Sequence, residues 1–174
     1  MKNIIAILLK EFKSYFNSPI AYIFIITFIL FSNWLFFRTF FLIGQAHLRP
    51  LFSIFPWLFL FLAPSITMRA WAEEKKMGTI EVLMTLPIKD YEVVLGKFFA
   101  SFFFMITTVI LTLPLTFTVY SLGQPETGSI IGGYLGACLM GGAYLAIGLF
   151  CSSLTKNQIV AFIISTVSCF VFLI

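Results

Sequence analysis

Five stretches of this chain are too apolar and too free of charge to rest in water. They are Pro19–Phe37 (nineteen residues), Leu51–Met68 (eighteen), Phe98–Tyr120 (twenty-three), Ile130–Leu154 (twenty-five) and Ile159–Ile174 (sixteen), and none contains Asp, Glu, Lys, Arg or His. A helix rises about 1.5 Å per residue and a bilayer core is about 30 Å thick, so about 20 such residues cross it. Inside the lipid every backbone N–H and C=O must find a partner within the segment, which a helix provides. Composition agrees. Only 10% of the 174 residues are charged and 60% are hydrophobic, whereas a soluble domain is about 25% charged. A soluble enzyme, a disordered chain and a nucleic-acid-binding domain are excluded. The expected fold is all-α, a polytopic membrane helical bundle with transmembrane helices over 19–37, 51–68, 98–120, 130–154 and 159–174.

The first seventeen residues read differently. The apolar run Ile4–Leu9 is six residues long and Lys10, Glu11 and Lys13 follow at once, too short for the roughly 7–15-residue core of a secretory signal. Helical spacing instead puts Ile4, Ile5, Leu8, Phe12 and Phe16 on one face and Asn3, Lys10, Lys13, Ser14 and Asn17 on the other. That pattern predicts an amphipathic interface helix over 1–17, its apolar face in the acyl boundary. Ser18-Pro19 then reads as a helix start. Arg38 is expected to end the first span. Pro56 and Pro64 predict kinks in the second, and Pro114 lies near the outer end of the third.

Lys and Arg set the orientation. Nine of the eleven fall in the N-terminal segment, the 69–97 segment and the 155–158 turn, against Arg38 and Arg49 on the other side. Cytoplasmic loops gather such charges, so the N-terminus is expected in the cytoplasm. The net charge of +4 has the same origin and implies no nucleic acid. Cys138, Cys151 and Cys169 lie in apolar runs without metal-ligand spacing and read as packing residues. The lone His47 reads as a solvated loop residue.

Ion-coupled transporters and intramembrane hydrolases need ionisable groups at membrane depth, and the spans hold none. Gly96-Lys97 is followed by Phe98, and no glycine stands five residues before Gly96, so no phosphate-binding loop is formed. The chain is therefore expected to bind no cofactor or metal and to carry no catalytic residue. ATP, if used, belongs to a partner. Within 130–154, Gly132 and Gly136 form one small-residue stripe and Gly133, Ala137 and Gly141 another. Such stripes bring helix backbones close, which reads first as packing inside one bundle and alternatively as a dimer or pore-lining face.

The segment 69–97 is the most informative. It spends twenty-nine residues where a few would join two spans, and it holds ten of the eighteen charges. Span two is expected to continue as a helix through Lys76, to break at Gly78, and to resume as a short helix. Thr79 would cap that helix, Glu81 would sit in its first turn where the dipole favours an anion, and Ile80, Leu83 and Met84 would give it an apolar face. Pro87 stops it and Asp90 is expected to cap the next. Arg69, Glu73, Glu74, Lys75 and Glu81 are the expected docking and charge-network residues.

Glu73-Glu74-Lys75-Lys76-Met77-Gly78-Thr79-Ile80-Glu81, continuing through Leu86-Pro87-Ile88 and Glu92 to Lys97, resembles the second-to-third-span loop of ABC-2 type transporter permeases. The similarity points to the branch of gliding-motility and copper-processing permeases. Residues 1–174 fit the family throughout, except that many relatives place Ser or Thr where Lys89 stands. The resemblance implies six spans, so a sixth is expected beyond Ile174. It also implies a second permease copy or paralogue in a dimer, and cytoplasmic ABC ATPase subunits docking on the inner loops; at that interface Gly78 and Thr79 are expected to shape the short helix, and Leu83 and Met84 to fill a groove on the ATPase. The expected function is then the permease subunit of an ATP-driven exporter in a bacterial inner membrane. The alternative is a membrane anchor that recruits a cytoplasmic partner through the same loop.

Overall fold

A computed structural model describes residues 2–43, 47–85 and 88–174, with the side chains of Lys2, Ile20, Ile43 and 82–84 outside the description. Among the described residues the chain is helical throughout: α1 (Lys2–Asn17), α2 (Pro19–Ile43), α3 (Arg49–Met77), α4 (Thr79–Thr85), α5 (Asp90–Ile110), α6 (Leu113–Leu122), α7 (Thr127–Leu154) and α8 (Gln158–Leu173). Four helical segments are long and apolar enough to cross a membrane: α2, α3, α5 with α6, and α7. The sixteen residues of α8 are as apolar but span only about 24 Å.

The long α3 is the axis, packed against α2, α7 and α8, while α7 also lies against α5 and α8. The core between them is phenylalanine meeting glycine. Phe28 stacks on Phe59 at 5.7 Å, Phe55 on Phe59 at 5.6 Å, and Phe52 meets Tyr134 edge-on at 5.1 Å. Beside Tyr134, α7 offers glycines to its neighbours. A Cβ at Gly133 would strike the Phe52 ring, one at Gly141 the Met105 sulfur, and one at Gly148 the Thr67 hydroxyl. Gly132 and Gly136, by contrast, have nothing within 4 Å of where a Cβ would stand. The two stripes therefore part company. Gly133 and Gly141 pack this bundle, and Gly132 and Gly136 face outward from it.

Several boundaries differ from expectation. Arg38 does not end α2, which continues to Ile43. Arginine is a good helix former, so its charge marks a polar position without stopping the helix. The third span breaks into α5 and α6 around Leu111 and Thr112. Pro114 explains this, because its ring clashes with the carbonyl four residues back, at Ile110, and it supplies no N–H. Thr112 and Thr116 turn their hydroxyls to the Tyr134 phenol at 3.3 and 3.0 Å. In contrast α3 runs unbroken through Pro56 and Pro64. The N-cap of α5 is Lys89 rather than Asp90, and the Glu92 carboxylate accepts from the Lys89 backbone N–H at 3.3 Å.

The apolar face of α1 meets protein. The helix lies along α5, with Tyr15 stacked on Phe104 at 5.3 Å and Phe16 edge-on to the same ring at 5.6 Å. Gly96 permits the approach, since a Cβ there would lie 2.7 Å from Ile7 Cγ2. Ile5, placed on the apolar face by spacing, is 56% exposed, and Glu11 is turned inward instead.

Candidate functional site

The charges of the 69–97 segment are organised around one buried cation. Lys97 is 3% exposed, although an ammonium taken out of water costs several kcal/mol unless paired and hydrogen-bonded. Its Nζ donates to Glu74 Oε1 at 2.7 Å, to the Ala70 carbonyl at 2.8 Å and to Glu11 Oε1 at 3.3 Å, and lies 5.0 Å over the Trp71 ring. Ala70 and Glu74 stand one turn apart on α3, so both reach the same cation. Three helices thus close on Lys97: α1 through Glu11, α3 through Ala70, Trp71 and Glu74, and α5 by carrying it.

A fourth helix joins at the same level. Ser152 of α7 is fully buried; its Oγ accepts from the Trp71 and Ala72 amides at 3.2 and 3.3 Å and donates to the Met68 carbonyl at 3.1 Å. The hydroxyl therefore enters the backbone ladder of α3 where that helix leaves its apolar stretch. Next to it Lys75 Nζ donates to the Ser153 carbonyl. Asn3 Nδ2 donates to Glu92 Oε2 at 3.0 Å, a second tie between α1 and α5. Tyr15 donates weakly to the Ile66 carbonyl at 3.5 Å. Burial first, and the Glu11 carboxylate second, push its phenol well above the usual tyrosine range, so it remains a neutral donor.

Above this clasp stands the short helix α4. Gly78 closes α3 in the left-handed region at φ 73°, a conformation that glycine adopts without a Cβ penalty. Thr79 opens α4, and its hydroxyl turns back to the Glu74 carbonyl at 3.4 Å instead of capping α4. Glu81 is exposed in the first turn, and Ile80 is half-buried against the cluster of Ala70, Trp71, Val93 and Leu149. Leu83 and Met84 belong to α4, but their expected apolar contacts lie outside the described side chains, as does Pro87 altogether.

The expected docking residues therefore divide. Glu81 is exposed, while Arg69 and Glu73 are half-buried. Glu74 takes the charge-network role as the counter-charge of Lys97, and Lys75 bonds the Ser153 carbonyl. Lys97, Glu11 and Ser152 were not among the expected residues. The available signal was a lysine set flush against a twenty-three-residue uncharged run. Among the described residues no group of three His, Cys, Asp or Glu forms a metal site, and Cys138, Cys151 and Cys169 are free thiols.

Of the comparisons with known proteins, one finds a match. The family model described as "ABC-2 family transporter protein" matches residues 43–174, from the end of α2 through α8. No curated protein and no solved structure matches the chain. With most of its length matched, the chain belongs to the ABC-2 transporter family, and it is a multi-pass membrane protein.

Proposed function

We propose that this chain is the permease subunit of an ATP-driven exporter of the bacterial inner membrane. In this reading its N-terminus is cytoplasmic and it pairs with a second permease copy or paralogue. It binds no nucleotide itself and is driven by a separate ABC ATPase that docks on α4. The observation that carries the reading is mechanical. A short helix stands on an arm, α3, that continues from the membrane without a break, and the foot of that arm is braced to α1, α5 and α7 by Lys97 and Ser152. Force applied to α4 reaches every one of those helices as a rigid-body displacement instead of dissipating in a loop. Gly132 and Gly136, open on the outer face of α7, leave room for the close approach of a helix from a second copy.

The test is co-expression with a candidate ABC ATPase subunit from the same organism. The two should purify together from detergent, and the reconstituted complex should hydrolyse ATP in step with substrate movement. Retention of the ATPase without any transport-linked turnover would favour the membrane-anchor alternative, and no retention would overturn both.

A further inference from the structure

A cavity of about 530 Å³ lies between the last turn of α3 and the turn that joins α7 to α8. Lys76, Thr155, Lys156, Asn157, Gln158 and Ile159 line it. The α7–α8 turn holds its shape through its own side chains. The Thr155 hydroxyl accepts from the Asn157 amide at 3.1 Å, and Asn157 Oδ1 accepts from the Ile159 amide at 2.9 Å.

The lining carries two cations and no carboxylate. Lys76 and Lys156 are both exposed, and among the described residues neither is held in an ion pair. Glu73 and Glu74, the carboxylates nearest to Lys76 in sequence, line a different cleft, beside α1, and Glu74 is taken by Lys97. Two unmatched ammonium groups on one cavity favour an anion. Ile159, at the edge of the same cavity, begins an apolar stripe on α8. Ile159, Ile163, Val167 and Val171 follow at steps of four, and each is more than half exposed. Such steps keep successive side chains on one side of a helix. From Ile159 to Val171 the stripe runs about 18 Å, enough to line one leaflet of a core about 30 Å thick. A soluble anion would answer the lysines and leave the stripe bare. We infer that this cavity and stripe together hold a phospholipid whose headgroup carries a net negative charge. Its phosphate lies between Lys76 and Lys156, and one acyl chain lies along α8.

The test uses the full chain, delipidated in detergent, with phosphatidylglycerol or phosphatidylcholine of identical acyl chains, or with inorganic phosphate alone. Native mass spectrometry counts retained lipid, and thermal unfolding reads the effect of each addition. Phosphatidylglycerol should be retained about thirtyfold more tightly than phosphatidylcholine, from about 1 kcal/mol for each of two lysines beside an anionic headgroup. It should also raise the melting temperature, which phosphate should not. Lys76→Gln with Lys156→Gln should abolish the preference and leave the lipid-free melting temperature in place, since both side chains are exposed. Lys156→Gln alone should cut the preference about fivefold and serves should the double variant fail to fold. Lys10→Gln with Lys13→Gln removes as much exposed charge from α1 and should keep the preference. Equal retention of the two lipids, equal stabilisation by phosphate, a full preference without Lys76 and Lys156, or the same loss on removing Lys10 and Lys13 would each overturn the assignment. No ATPase is present in this assay, so its outcome is independent of the docking reading of α4.

Discussion

Replacing Lys97 by alanine is expected to cost the bundle roughly 3–5 kcal/mol, the loss seen when one partner of a buried ion pair is removed. The figure applies because Lys97 is 3% exposed and because its removal strands two carboxylates, Glu11 and Glu74, with side chains only 20% and 18% exposed. It also deletes the hydrogen bond to Ala70 and the contact with Trp71. Thermal unfolding in detergent, followed by size-exclusion elution, should show a large drop in melting temperature or outright aggregation. A companion variant isolates the cause. Lys97→Met with Glu11→Gln and Glu74→Gln removes all three charges together, and replacing a whole buried ion network by uncharged groups is often close to neutral. It should recover most of the lost stability. A Lys97→Ala protein as stable as the parent would mean that Lys97 is solvated and that the clasp does not exist.

Charge reversal at Glu81 is expected to do the opposite: leave the fold intact and disable the assembly. Glu81 is exposed on α4, so Glu81→Arg should melt with the parent. If α4 docks in an ATPase groove, truncating one member of a buried interfacial charge pair costs about 2–5 kcal/mol and reversal more. The ATPase should fail to co-purify and transport-linked ATP turnover should fall to background. The same substitution at Glu74 would be uninformative, because Glu74 holds Lys97 and its loss would disturb the bundle itself. Full ATPase retention by Glu81→Arg would remove α4 from the interface.

The bundle was legible in the sequence for a simple reason. A run without charge that is long enough to cross lipid has few alternatives to a helix, and four of the five runs form segments that meet both criteria by length and composition. The break at Gly78 was legible too, because glycine stood at the one point where charge density peaked and the apolar pattern restarted. What was not legible is register between distant helices. Lys97 meets Glu74 across 23 positions and Glu11 across 86, and Ser152 meets Met68 across 84. Neither spacing nor propensity encodes which turn of α1 lies beside which turn of α5. The same limit left open which glycine stripe of α7 packs inward: Gly132 and Gly133 are neighbours in sequence, yet only the second faces the Phe52 ring. Spacing put Glu74 and Lys75 in a charged segment without naming their partners, and the burial of Lys97 decides where Glu74 points.

The central claim is that α4 and the clasp beneath it face a cytoplasmic ATPase while the α6–α7 turn faces the other side of the membrane. Cysteine placement measures this directly. In a chain with Cys138, Cys151 and Cys169 replaced by alanine, single cysteines are introduced by Glu81→Cys and by Glu126→Cys, both exposed positions, in cells that also carry the ATPase. The account predicts that the cysteine at 81 cross-links to the ATPase and is spared by a membrane-impermeant thiol reagent added outside, whereas the cysteine at 126 is labelled from outside and cross-links to nothing in the cytoplasm. Labelling of 81 from outside, or cross-linking of 126 to the ATPase, would contradict it.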